Sequence, residues 1–174
     1  KLSKQNKFKQ KAPSNKSVTN LSDNNPNTFL EDDLLRLCLS EELSIRKLIF
    51  DYMQKDWLQS GNHKKIYDML YIHLNSENAM PVDVLINNMS EENIRNKFTD
   101  LVLNIEGMEP TKTMVIDCLI QLEKRILKKE LISLKNSLKS TDENNISNII
   151  TNITSTEKTI RDLPSKYEKI DAKQ

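Results

Sequence analysis

Few residues in this chain have the types and spacing that catalysis requires. His63 and His73 are the two histidines, and neither stands at a metal-ligand spacing from another His or a Cys. We expect His63 on the surface of a first helical turn and His73 on a helix surface or partly buried. Cys38 lies between Leu37 and Leu39, which predicts a buried, inert thiol. These residues predict no metal site and no cofactor.

The other residues that could carry chemistry have simpler interpretations. Glu31-Asp32-Asp33 suits the positive end of a helix dipole, which favours a first helical turn over metal-ion catalysis. Trp57 beside Leu58 is typical of a core or capping residue rather than a base-stacking platform. Gly61 and Gly107 are the only glycines, so no glycine-rich phosphate loop is present. We therefore expect that this chain alone is not an enzyme.

Composition and charge restrict the function classes further. The 174 residues carry a net charge of +1, but the first twenty hold six lysines and no acid. The remaining residues are mildly acidic, which argues against sequence-specific binding of nucleic acid. No apolar run approaches the roughly 20 residues of a membrane span, and the N-terminus lacks a signal peptide's apolar core. We expect a soluble cytoplasmic protein without membrane contact. Because the sequence begins with Lys1 and not with Met, we also expect a fragment or a processed product.

Abundant Leu, Ile, Lys and Glu with few Gly and Pro predict an all-α protein, a multi-helix bundle with a long helix leading into a C-terminal two-helix hairpin. Residues 1–28 are polar and basic and predict a disordered linker. Residues 29–126 show apolar positions three and four apart and predict the helical bundle. Residues 127–163 predict the hairpin, and residues 164–174 predict a polar tail that frays.

A long helix over residues 111–139 connects the bundle to the hairpin, and its apolar stripe changes face part-way. The first stripe ends at Ile126, and a second begins one residue out of register at Leu127. On a helix of 3.6 residues per turn this rotates the stripe by about 100°. The helix therefore faces the bundle first and a second helix afterwards. Its basic residues are interleaved with acids, which predicts a solvated face with local ion pairs; they are Lys124, Arg125, Lys128 and Lys129, with Glu123 and Glu130.

The order of elements and several local strings resemble the C-terminal helicase-binding region of bacterial, DnaG-type DNA primases. The strings are residues 31–37, residues 45–49 leading to Asp56-Trp57-Leu58, residues 63–67 with Leu70, Asp117-Cys118-Leu119 with Leu122-Glu123, and Glu130-Leu131 through Leu134 to Leu138. The resemblance covers about residues 29–163. Its motifs are patterns of apolar and charged residues rather than invariant chemistry.

The resemblance implies a non-catalytic domain that docks a primase on the N-terminal domains of the hexameric replicative helicase, within a primosome that makes RNA primers. The polymerase core would then lie upstream of Lys1, and the zinc-binding and metal-binding parts of the family have no counterpart in this sequence. We expect a monomer when the chain is alone. We place the partner-binding residues on the hairpin, at Leu131, Ile132, Leu134, Leu138, Ile149, Ile150 and Ile153.

Three alternatives remain open at the level of sequence. A coiled-coil adaptor would use the same hairpin for self-association. The helicase's own N-terminal domain also resembles a helical bundle with a hairpin, but it would precede a nucleotide-binding domain. A helical enzyme with a composite active site has no supporting set of residues.

Overall fold

The structure, a computed structural model, describes residues 26–75, 78–105, 109–140 and 143–171. All regular structure in these ranges is helical, which confirms the all-α prediction. Seven α-helices and one 3-10 turn follow in order: α1 Pro26–Leu37, α2 Leu43–Tyr52, the 3-10 turn Lys55–Trp57, α3 Gly61–Leu74, α4 Val82–Asn88, α5 Glu92–Leu103, α6 Lys112–Ser137 and α7 Glu143–Asp171. Residues 1–25 of the expected linker lie outside the described residues, and its last three residues, 26–28, belong to α1, so the prediction of disorder is wrong for them.

The core of the bundle forms where the apolar stripes of α1, α2, α3, α5 and the first half of α6 meet. Each stripe repeats at three- and four-residue steps, so its side chains share one helix face. The fully enclosed side chains include Leu34, Leu35, Ile49, Ile66, Phe98 and Leu119. Trp57 is also buried, as expected for a core residue.

The long helix α6 begins as the sequence indicates. Thr111 is its N-cap, and the Thr111 hydroxyl accepts a hydrogen bond from the Met114 N–H at 3.2 Å. Val115, Leu119 and Leu122 are buried in the bundle. Among the described residues of α6, none after Leu122 is fully buried. The second half of this 26-residue helix therefore leaves the bundle and depends on another partner.

That partner is α7, which packs against α6 more extensively than any other pair of elements does. Lys135 binds Glu157 at 2.9 Å and Lys166 binds Glu123 at 2.7 Å, so the helices are antiparallel. Because the second pair lies at Glu123, the hairpin seam extends back beside the first half of α6. The predicted seam, confined to residues after Ile126, is therefore too short.

The expected polar tail is wrong for residues 164–171, because α7 continues through Pro164 to Asp171. Leu163 and Tyr167 flank Pro164 and are both enclosed. Proline inside a helix removes one hydrogen bond and clashes with the preceding turn, at a cost of about 3 kcal/mol. Burial of two large side chains offsets that local cost. None of the helices in the described ranges is both long and apolar enough to cross a bilayer.

Candidate docking surface and buried ion cluster

Five charged side chains from four helices meet inside the bundle, and we call them the buried ion cluster. Glu31 and Asp32 come from α1, His63 from α3, Lys97 from α5 and Arg125 from α6. Glu31 is fully enclosed, and His63 is 2% exposed. The cluster therefore joins the bundle helices to the long helix that carries the hairpin.

Glu31 is the central acceptor of the cluster. His63 Nδ1 lies 2.7 Å from Glu31 Oε2, and Arg125 Nη2 donates to Glu31 Oε1 at 2.6 Å. The backbone N–H of Gln59 also donates to Glu31 Oε1, at 3.0 Å. Arg125 Nη2 donates in addition to the Trp57 carbonyl oxygen at 2.7 Å. A buried carboxylate needs several donors of this kind to compensate for its lost hydration.

Asp32 occupies the other side of His63. His63 Nε2 lies 2.9 Å from Asp32 Oδ1, and Lys97 Nζ donates to Asp32 Oδ2 at 2.8 Å. Each ring nitrogen of His63 thus faces a carboxylate oxygen. Both contacts favour the imidazolium, because only that form carries a proton on each nitrogen.

The surroundings shift the pKa values of the cluster accordingly. Burial by itself would lower the pKa of His63, but the contacts with Asp32 and Glu31 outweigh it and raise that pKa above its ordinary value. Burial would raise the pKa of Glu31, yet hydrogen bonds from His63, Gln59 and Arg125 hold it below its ordinary range. The pKa of Asp32 is lowered against the same burial effect by His63 and Lys97. The three groups therefore stabilise one another in their charged forms.

The geometry of the cluster fits a structural role. Within the described ranges, no group of three or more His, Cys, Asp and Glu side chains is arranged to hold a metal ion. Both nitrogens of His63 already face carboxylates, so neither presents a lone pair to a ligand. The cluster is best described as a buried clamp between helices.

These positions correct two expectations. His63 is buried rather than on the surface, and Glu31 and Asp32 lie beyond the first turn of α1, which begins at Pro26. The sequence does contain a signal for this. Glu31 stands three and four residues before Leu34 and Leu35, and His63 stands at the same spacings before Ile66 and Tyr67. Each charged residue therefore occupies the next position of a buried stripe.

The two cysteines are free and separate from the cluster. Cys38 is enclosed as expected, and burial raises the pKa of its thiol. Cys118 is half-buried, and burial, with smaller effects of Asp33 and Asp117, raises its pKa to about 11. Neither thiol is activated, because activation requires a lowered pKa.

The structure divides the seven residues predicted to bind a partner into two groups. Ile132 is 60% exposed and Ile150 is 49% exposed. The other five are partly buried on the hairpin and follow the α6 and α7 stripes; they are Leu131, Leu134, Leu138, Ile149 and Ile153. Among the seven, only Ile132 and Ile150 thus present about half or more of their surface outward.

Ile132 and Ile150 lie along the same edge of the hairpin. Ile132 is three residues before Lys135 on α6, and Ile150 is two helical turns before Glu157 on α7. Lys135 and Glu157 form an ion pair across the two helices. Ile132 shares a face of α6 with Lys135, and Ile150 shares a face of α7 with Glu157. Because the ion pair brings these two faces to the same side, all four side chains line one edge, which we call the hairpin edge.

No protein-family model, curated protein or solved structure shows significant similarity to this chain.

Proposed function

We propose that this chain is the non-catalytic helicase-binding domain of a bacterial DnaG-type DNA primase, as the resemblance of its sequence implies. In this proposal the bundle is a rigid base, and the hairpin docks on the N-terminal domain of the hexameric replicative helicase. The docked primase would then make RNA primers at the replication fork with a catalytic core encoded upstream. The proposal requires no cofactor in this chain and places it in the cytoplasm.

The hairpin edge is the observation that carries the proposal. Two isoleucines are exposed on one edge of a hairpin whose other partner-binding candidates are partly buried. An apolar side chain gains about 25 cal/mol for each Å² that a partner removes from water. Apolar side chains exposed along one edge are typical anchors for a protein partner.

The bundle supports the same proposal by fixing where the hairpin points. The buried ion cluster attaches α6 to α1, α3 and α5 close to the last fully buried residue of α6, Leu122. Residues 31–37 and 63–67, which carry part of the resemblance, supply Glu31, Asp32 and His63 to this cluster. A rigid attachment lowers the entropy cost of docking.

Co-purification tests the proposal. The chain is immobilised and mixed with the replicative helicase of the same organism, beside an Ile150→Asp variant. We expect the parent chain to retain the helicase and Ile150→Asp to lose it with unchanged helical content by circular dichroism. Retention by Ile150→Asp would remove the hairpin edge as the binding site.

Self-association through the hairpin is the second candidate, because the exposed isoleucines could equally pair with a second copy. It would make the chain a coiled-coil adaptor rather than a helicase-binding domain. The two functions predict different masses for the purified chain, a monomer for the helicase-binding domain and a dimer for the adaptor.

A further inference from the structure

A groove with a volume of about 540 Å³ runs along α6 beside the hairpin edge. Leu30 of α1 and Ile132 of α6 contribute apolar surface to it, and the cations Lys124, Arg125, Lys128 and Lys129 line it. We call it the basic groove. No carboxylate is among the residues that line it.

Glu123 and Glu130 of α6 do not neutralise this groove. Glu123 instead faces α7, where it binds Lys166 at 2.7 Å and accepts a hydrogen bond from the Tyr167 hydroxyl at 2.8 Å. Glu130 is seven residues further along and so lies near the same side of the helix. The prediction that Glu123 pairs with a neighbouring lysine of α6 is therefore wrong, because its partner is Lys166 of α7.

The lysines of the groove keep most of their charge available. Arg125 is engaged by Glu31 of the buried ion cluster. Lys124 and Lys128 are exposed, and none of the ion pairs among the described residues involves either of them. Positive potential accumulates where cations lie side by side without counter-charges.

The basic groove and the hairpin edge are continuous, because Ile132 belongs to both. A partner can cover Ile132 and Ile150 on the hairpin edge and continue along α6 toward the bundle. It then reaches Lys124 and lies in the basic groove. The groove then offers apolar contacts at Leu30 and Ile132 together with the cations of α6. This pattern complements a segment that carries both acidic and apolar residues.

We propose that the basic groove binds an acidic amphipathic segment of the same protein partner that docks on the hairpin edge. The identification of that partner as the helicase rests on the proposed function. Nucleic acid fits less well, since no aromatic side chain lines the groove to stack on a base. The chain's own first twenty residues, with six lysines and no acid, carry the same sign of charge as the groove.

Titration of the helicase into labelled chain at several salt concentrations tests the inference. The groove variant is Lys124→Glu with Lys128→Glu. Its control is Lys47→Glu with Lys158→Glu, which makes the same charge change at exposed lysines on α2 and α7. We expect the groove variant to bind about tenfold more weakly with a flatter salt dependence, and the control to bind like the parent. Unchanged affinity and salt dependence in the groove variant would overturn the inference.

A second titration separates this inference from the proposed function. If the parent chain fails to bind helicase, the proposed function fails. The groove is then probed with a labelled synthetic helical peptide that has Glu residues on one face and Leu residues on the other. Binding that the groove variant loses and the control keeps supports the groove alone. No binding of the peptide, or tighter binding of a single-stranded oligonucleotide than of the peptide, contradicts the choice of an acidic protein segment.

Discussion

Arg125 Nη2 lies 2.6 Å from Glu31 Oε1, although 94 residues separate the two in sequence. This ion pair joins the long helix to the first helix of the bundle, one turn beyond the last fully buried residue of α6, Leu122. The hairpin leaves the bundle from this point. The orientation of the hairpin edge therefore depends on a contact made inside the bundle.

Arg125→Met tests this attachment. It removes the cation and retains much of the side-chain volume, so Glu31 stays buried with one donor fewer. We expect the free energy of unfolding, measured by urea denaturation, to fall by about 3 kcal/mol. Lys124→Met on the exposed neighbouring position is the control, and we expect a change within about 0.5 kcal/mol. Equal effects of the two variants would contradict a structural role for the Arg125–Glu31 pair.

The buried ion cluster predicts a pH dependence of stability. The pKa of His63 is raised in the fold, so its contribution is complete below its ordinary pKa of 6.5 and is lost as the pH rises through the folded value. The pKa values of Glu31 and Asp32 are lowered, so their contributions are complete above the ordinary values of 4.5 and 3.8 and are lost as the pH falls through the folded values. The cluster is therefore most stabilising between these limits, at mildly acid pH.

His63→Gln measures this dependence. We expect the variant to lose about 2 kcal/mol near pH 6, because Glu31 and Asp32 each lose a charged neighbour. As the pH rises above 6.5 and through the raised pKa of folded His63, the difference from the parent chain is expected to shrink. Urea denaturation from pH 5 to pH 9 gives both curves. Parallel curves over that range would show that the charge on His63 does not contribute.

The C-terminal end of α7 supplies a third prediction. Tyr167 is enclosed against α6, and its hydroxyl donates to Glu123 at 2.8 Å. We expect Tyr167→Ala to lower the free energy of unfolding by about 3 kcal/mol, and Ser165→Ala on the exposed side to be nearly neutral. Removal of residues 164–174 is expected to be at least as harmful as Tyr167→Ala. A harmless truncation would restore the interpretation of this segment as a fraying tail.

The differences between sequence and structure have identifiable physical causes. Periodic apolar spacing is a local property, and it predicted the helices. The partners of Glu31 come from α3 and α6, and no local pattern reports contacts over such separations. Pro164 is a strong local signal for a helix end, and tertiary burial of Leu163 and Tyr167 outweighs it. The hairpin edge could be predicted in part. Ile132 and Ile150 lie off both apolar stripes in the sequence, but their alignment on one edge depends on the pairing of α6 with α7.

The mass of the purified chain distinguishes the two candidate functions. We expect light scattering to give the 20.2 kDa of a monomer over a wide concentration range. Ile132 and Ile150 alone expose too little apolar surface for a stable dimer, which commonly buries more than about 1,000 Å². A stable dimer that Ile132→Asp dissociates would instead favour the coiled-coil adaptor.

Calorimetric titration of the replicative helicase with the double variant Ile132→Asp, Ile150→Asp tests the central claim most directly. The matched control is Ile72→Asp with Leu103→Asp, which alters two exposed apolar residues of the bundle that are 72% and 68% exposed. We expect the hairpin-edge variant to show no measurable heat of binding, because a charge replaces each exposed isoleucine that the helicase would cover, and burying a charge is costly. The bundle control is expected to bind with the affinity of the parent chain. Binding by the hairpin-edge variant with parental affinity, or loss of binding only in the bundle control, would contradict docking through the hairpin.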